Sequence, residues 1–147
     1  MEVFLISDDD EIKTVIAKCL ATDMDLVKVR HHSPIKTIIG CTEFTFNALY
    51  EGDILTDVDF YLIKDKGVVG FFAVNYNEKI LRSFHVNKAF RNDGKCDVFW
   101  EGVRSVLGDF FYGVIWEDNK RAIRFFENED GLLVNKIDNT LCYEFKK

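Results

Sequence analysis

The chain has 147 residues, 48% of them hydrophobic, with fourteen Phe, a single Pro and a formal net charge of −6. This length suits one domain over residues 1–147, burying about two-thirds of its unfolded surface. The apolar fraction excludes a disordered chain, and the negative charge argues against broad attraction to nucleic acid or to an anionic membrane.

The N-terminus MEVFLISDDDEIK lacks the basic leader and apolar core of a secretion signal. No stretch reaches the run of about eighteen apolar residues that a membrane span needs, so a cytoplasmic protein is expected. Cys19, Cys41, Cys96 and Cys142 form no C-x-x-C pair. They are expected to be reduced, structural thiols rather than zinc ligands or a redox pair.

In chain order, EVFLIS (2–7) reads as a strand. Ser7 and the acidic run Asp8 to Glu11 then open a helix whose apolar stripe is Ile12, Val15, Ile16 and Cys19. The acidic run resembles a set of oxygen ligands for a metal, but first-turn acids that complement the helix dipole account for it more simply. Ser33-Pro34 resembles a helix start leading to Ile35, Ile38 and Ile39 before Gly40, with a second short helix over Glu43 to Tyr50. His31-His32 has no third ligand at a useful spacing and reads as a solvated turn.

From Asp57 the pattern becomes a meander of DFYLI (59–63), VVGFFAVNY (68–76) and KILRSFHV (79–86), joined by the turns KDKG and NEK. Simple alternation puts Leu81, Ser83 and His85 of the third strand on one face and Ile80, Phe84 and Val86 on the other. Cys96, Phe99, Trp100, Val103, Val106 and Leu107 make a helical stripe that stops at Gly108. FFYGVIW (110–116) follows as a strand, parallel to the one before the helix. Asp118 or Asn119 caps a short helix with Ala122, Ile123 and Phe126 facing inward, and GLLVNKIDNTLCYEF folds as a hairpin about Asp138-Asn139. The fold class is α+β, one central mixed sheet flanked by helices.

The stretch Arg91-Asn92-Asp93-Gly94-Lys95-Cys96 precedes the long helix. A helix N-terminus offers unpaired N–H groups and partial positive charge, a glycine lets an anion come close, and an arginine adds a charge-assisted bond. The six residues fit a diphosphate cradle; they equally fit a plain turn with Asp93 as the helix cap.

The stretch from about Asp57 to Phe145 resembles the Gcn5-related N-acetyltransferase (GNAT) superfamily. Its phosphate loop reads Q/R-x-x-G-x-G/A, and Arg91, Gly94 and position 96 match it in register. HVNKAFR resembles the family's approach V-x-P-x-x-R, and Asn119 to Phe126 is similar to its N-x-x-A-x-x-F-Y segment, with Gly131 placed before the sixth strand. The resemblance implies acetyl-coenzyme A bound where strands four and five splay apart. Pantetheine would lie along Phe84 to Val86, the diphosphate would meet Arg91, Asn92, Asp93, Gly94, Lys95 and Cys96, and Asn119 and Phe126 would border the cofactor.

It further implies transfer of an acetyl group to a primary amine of a small molecule or protein, with His85, or secondarily Glu78, as base. The family's acid is a tyrosine at the position of Phe126, which has no proton to donate, so Tyr112 is the substitute. Cys96 replaces Gly or Ala, Asp93 opposes an anion, and Lys88 stands where the family has Pro. A second reading follows from these departures: a catalytically degenerate domain of this fold, resembling small phage-encoded head-assembly proteins, which would bind a protein assembly partner in the host cytoplasm. A third, a modifier of a protein or aminoacyl-tRNA, conflicts with the net charge.

Overall fold

The computed structural model describes residues 1–23, 37–50, 58–91 and 96–146, with the side chains of Leu49 and Tyr50 left aside. Strand β1 (Glu2–Ile6) leads to helix α1 (Asp9–Ala21), where the Asp8 carboxylate accepts from the Glu11 N–H at 3.0 Å. The cap is therefore Asp8, and Asp9, Asp10 and Glu11 fill the first turn where the helix dipole favours them.

Helix α2 runs unbroken through Gly40, over Ile38–Tyr50, in place of the two short helices expected from the sequence. Thr37 explains this: its hydroxyl accepts from the Gly40 N–H at 3.0 Å, so the glycine sits in the first turn. The expected start at Ser33-Pro34 and the pair His31-His32 lie outside the described residues.

The meander is β2 (Asp59–Lys64), β3 (Val68–Asn75) and β4 (Ile80–Val86), all antiparallel neighbours. A single 3-10 turn at Lys88–Phe90 follows, then α3 (Cys96–Leu107), β5 (Phe111–Trp116), α4 (Lys120–Asn128) and the hairpin β6 (Leu132–Ile137) and β7 (Thr140–Phe145). The seven strands lie in the order β1-β2-β3-β4-β5-β7-β6, with β4 and β5 parallel. The last hairpin thus folds back so that β7, not β6, pairs with β5.

Each face of the sheet carries one core. Ile12, Ile16, Cys19 and Leu20 of α1 and Cys41 of α2 pack with Phe60, Leu62, Phe71 and Ala73. On the other face Phe99, Trp100, Val103 and Leu107 of α3 and Ala122 and Phe126 of α4 pack with Phe72, Leu81, Phe111 and Phe145. Arg104 of α3 meets Glu129 at the end of α4 at 2.6 Å, tying these two helices together.

One register shift corrects the alternation expected for β4. Ala73 pairs with Ser83 but Val74 pairs with Leu81, so Arg82 is an extra residue in a bulge. A side-chain period of two changes parity at such an insertion. Leu81 therefore joins the core beneath α3, where Phe84 and Val86 also pack, while Ser83 and His85 stand opposite Ala73 and Phe71 on the α1 face.

Candidate active site

Strands β4 and β5 pair only at Ile80 with Tyr112 and Leu81 with Gly113. Beyond those two pairs they separate, leaving a gap beside the C-terminal half of β4. The Asn87 N–H donates to the Val69 carbonyl of β3 at 2.7 Å. Backbone groups alternate between the two edges of a strand, so Phe84 and Val86 turn theirs toward the gap. The sequence expectation placed pantetheine on this edge.

The end of β4 is fixed by buried Asn87 and Asp23 and half-buried Arg91. The Asn87 amide donates to the Val68 carbonyl at 3.0 Å, the Arg91 Nε donates to the Val86 carbonyl at 2.8 Å, and the rest of the Arg91 guanidinium pairs with the Asp23 carboxylate. Asp23, just past α1, is 4% exposed, and the His85 Nε2 lies 4.0 Å from it. Burial and the nearby charge of Arg121 pull the Arg91 guanidinium below its ordinary range. Cys96 opposes them, and a guanidinium keeps its proton. Arg121, an exposed residue in the first turn of α4, is the like charge that acts on Arg91.

Cys96 is the first residue of α3. Its thiol donates to the Arg91 carbonyl at 2.9 Å, which turns its bulk back onto the chain before the helix. Burial first, then Asp97 and Glu129, raise its pKa against the pull of Arg91, so it remains a thiol at neutral pH. Asn92, Asp93, Gly94 and Lys95 lie outside the described residues.

His85 is 6% exposed, and its ring stacks on Phe71 of β3 at 5.7 Å. It therefore leans away from the gap, over β3. Tyr112 is beside Ile80 at the closed end of the gap. With Arg82 bulged out, that is four ladder steps from the level of His85, roughly 13 Å along the strand, so the two are not neighbours. Glu78 lies in the turn before β4, where its N–H donates to the Asn75 side chain at 3.0 Å, at the same closed end.

Asn119 has a structural task, since its side chain accepts from the Ala122 N–H at 3.2 Å and caps α4. Phe126 is fully buried, with ring centroids at 5.4 Å from Phe84 and 5.1 Å from Phe145. It lies over Gly113, where an added Cβ would come within 2.8 Å of its ring. Phe125 stacks on Phe84 at 5.4 Å and on Trp100 at 5.0 Å, closing the core-side face of the gap with Phe126.

Sequence reading missed Asp23, Arg121 and Phe125. Asp23 carries no local signal, because its partner is 68 residues away. Arg121 and Phe125 lie inside the recognised segment, one at the exposed first turn and one beside the position of the absent tyrosine.

A bulged β4, a parallel β5 that departs from it, and a helix entering between them define the architecture of the GNAT acetyltransferases, and this chain has that fold. Solved structures bear this out over nearly the whole length. An acetyltransferase from Thermus thermophilus is 15% identical with a TM-score of 0.63, covering 98% of this chain and 96% of that one. The PaiA N-acetyltransferase of Thermoplasma acidophilum, in complex with coenzyme A, is 11% identical with a TM-score of 0.61 and full coverage of both chains. A GNAT-family acetyltransferase from Bacillus cereus is 15% identical with a TM-score of 0.55, covering 99% and 96%.

No protein-family model matches the sequence, and no curated protein matches it. The narrower likeness to phage head-assembly proteins gains no support from these comparisons. Among the described residues no helix is long and apolar enough to cross a membrane, and no group of three or more His, Cys, Asp or Glu side chains is placed to hold a metal ion.

Proposed function

We propose that the protein is an acetyl-coenzyme A-dependent N-acetyltransferase acting on a primary amine. The observation that carries this reading is the pairing of β4 and β5 at two positions only, which leaves the Phe84 to Val86 edge facing a gap that ends near the N-terminus of α3. An extended amide chain such as pantetheine can bond to such an edge as an added strand. The start of α3 and the exposed charge of Arg121 are the groups of the described residues proposed to meet the diphosphate. The PaiA relative, which holds coenzyme A, supports the choice of cofactor.

In the proposed reaction the amine nitrogen attacks the thioester carbonyl carbon. A C–N bond forms, the C–S bond breaks, one proton leaves the amine, and coenzyme A departs. A thiol of ordinary pKa near about 8.5 is a fair leaving group as its thiolate, so loss of the acid at Phe126 need not stop turnover. His85 is the proposed proton acceptor, since an imidazole can take up a proton, and its Nε2 stands 4.0 Å from the Asp23 carboxylate. Because its ring leans over β3, transfer to it runs through a water molecule. Tyr112 and Glu78 take no part, being at the closed end of the gap.

A second reading, coenzyme A binding without turnover, is favoured by one observation: Phe126, at the position of the acid in the resembled family, is a fully buried ring with no proton to donate.

Calorimetric titration with acetyl-coenzyme A, followed by assay of free thiol release with small primary amines and a lysine-containing peptide, tests both. Binding is expected, with loss in Gly94→Glu and weakening of several-fold in Arg121→Glu. Binding without thiol release from any amine selects the second reading. No binding at about millimolar acetyl-coenzyme A overturns both.

A further inference from the structure

Val86 is the last residue of β4, and its backbone groups lie on the edge that faces the gap. The Arg91 Nε donates to the Val86 carbonyl at 2.8 Å, and the same guanidinium ion-pairs with Asp23, two residues past the end of α1. The Arg91 carbonyl in turn accepts from the thiol of Cys96, the first residue of α3, at 2.9 Å. One arginine thus ties together the ends of α1 and β4 and the start of α3.

In the resembled family the place of Arg91 belongs to the phosphate loop. Here Asp23 is 4% exposed and the Arg91 side chain 19%, so little of the guanidinium is left to meet a ligand. Turning it out to a diphosphate would leave a buried carboxylate bare, a loss greater than a solvent-screened contact with phosphate returns. On the reading that pantetheine lies along β4, we propose that Asp23 is a positioning residue for the cofactor. Through Arg91 it fixes the Val86 carbonyl and the edge of β4, and Arg91 does not leave that post for the diphosphate.

On its other side the end of β4 is held by β3. The Asn87 N–H and side-chain amide donate to the Val69 and Val68 carbonyls, and the His85 carbonyl comes so close to Gly70 that a Cβ there would overlap its oxygen. On the gap side, β5 pairs with β4 only as far as Leu81 and Gly113. The Arg91 contact supplies there what a neighbouring strand supplies elsewhere. A carbonyl oxygen has two lone pairs, of which Arg91 uses one. The second, with the Val86 N–H and the groups of Phe84, stays open to an extended amide ligand. A diphosphate ligand matters only to molecules that carry a diphosphate, whereas a residue that sets the β4 edge matters to every molecule laid along it.

S-acetylpantetheine, which lacks the nucleotide and its diphosphate, separates the two roles. Acetyl-coenzyme A and S-acetylpantetheine, the latter at up to about 10 millimolar, are titrated into the whole chain, its Asp23→Asn variant and its Arg91→Lys variant, following the Phe84 and Val86 amide signals by NMR. Lysine keeps the charge but cannot span carboxylate and carbonyl as the guanidinium does. Both variants should weaken both ligands by the same factor, about tenfold, the size of one displaced hydrogen bond. Ile6→Ala, which opens a cavity by the β1 edge of the sheet, controls for lost stability and should leave both affinities unchanged. Without any variant, the Arg91 Nε–H of the free chain should exchange with solvent more slowly than that of exposed Arg121, and stay slow at saturating acetyl-coenzyme A.

A loss confined to acetyl-coenzyme A makes Arg91 a diphosphate ligand, and an equal loss in Ile6→Ala makes the effect one of stability; either overturns the proposal. So do unchanged binding in both variants, an Arg91 Nε–H that exchanges as fast as that of Arg121 or is released by the cofactor, and titrations of the parent in which S-acetylpantetheine leaves the Phe84 and Val86 amides unmoved. A parent that binds neither molecule overturns the acetyltransferase reading and the proposal together, while slow Arg91 exchange would still show the tie between α1 and β4.

Discussion

Phe126→Tyr probes the position where the acetyltransferase fold otherwise carries a phenol. Phe126 is 0% exposed, with ring centroids 5.4 Å from Phe84, 5.9 Å from Trp100, 5.5 Å from Tyr143 and 5.1 Å from Phe145. Its ring tip lies over Gly113, 2.9 Å from where a Cβ would stand. A hydroxyl added there enters an aromatic enclosure, and leaving it unsatisfied costs about 1–3 kcal/mol. For a chain of this length each kcal/mol moves Tm by roughly 3–4 °C, so the free variant should melt roughly 3–12 °C below the parent.

If acetyl-coenzyme A enters the gap, its sulfur gives the phenol a partner, and saturating cofactor should recover much of the loss. In that case kcat rises while Kd for the cofactor hardly moves, since the phenol acts on the leaving sulfur in the transition state. Differential scanning fluorimetry with and without acetyl-coenzyme A is the assay. A free variant with native circular dichroism that melts within about 1 °C of the parent would refute the closed-core reasoning.

Gly70→Ala should be the costlier change, because its Cβ would overlap the His85 carbonyl oxygen and lie 3.1 Å from the Val86 Cα, all backbone. A loss of at least about 3 kcal/mol in urea unfolding is expected, with weaker cofactor binding because the end of β4 must move. Asp23→Ala removes the partner of Arg91 and should cost about 2–4 kcal/mol, the range tempered because the Arg91 side chain keeps 19% exposure. Adding Arg91→Leu should recover part of that loss in a double-mutant cycle, and additive losses would exclude the pairing.

Burial pushes the Cys19 thiol from an ordinary 9.0 up to about 12. The folded state thus holds its proton more tightly than the unfolded state, a contribution fully present below pH 9 and lost as pH rises toward 12. Stability should decline across that window, less so in Cys19→Ala after correction for its lower baseline, and a thiol reagent at pH 8 should leave Cys19 unmodified until the chain unfolds.

What the sequence by itself determined was local. The stripe from Cys96 to Leu107 stops at Gly108, whose φ of 85° suits glycine; the turns KDKG and NEK lie between the strands; and the motifs about Arg91 and Asn119 flank α3 and β5. These features rest on near neighbours along the chain, on helical period, caps and turn residues, which a linear reading contains.

Only the tertiary structure decided the rest. The bulge at Arg82 reversed the expected partner of Leu81, because strand side chains alternate with period two and one inserted residue inverts them. Insertion of β7 between β5 and β6, which leaves β6 at the edge, is a pairing choice between distant segments. Arg91 read as a phosphate ligand yet meets Asp23 and the Val86 carbonyl, and Phe126 read as an acid lost from a site yet is the centre of an aromatic core. In each case a side chain's surroundings come from residues far along the chain, and burial there, not the residue's own chemistry, sets what it can do.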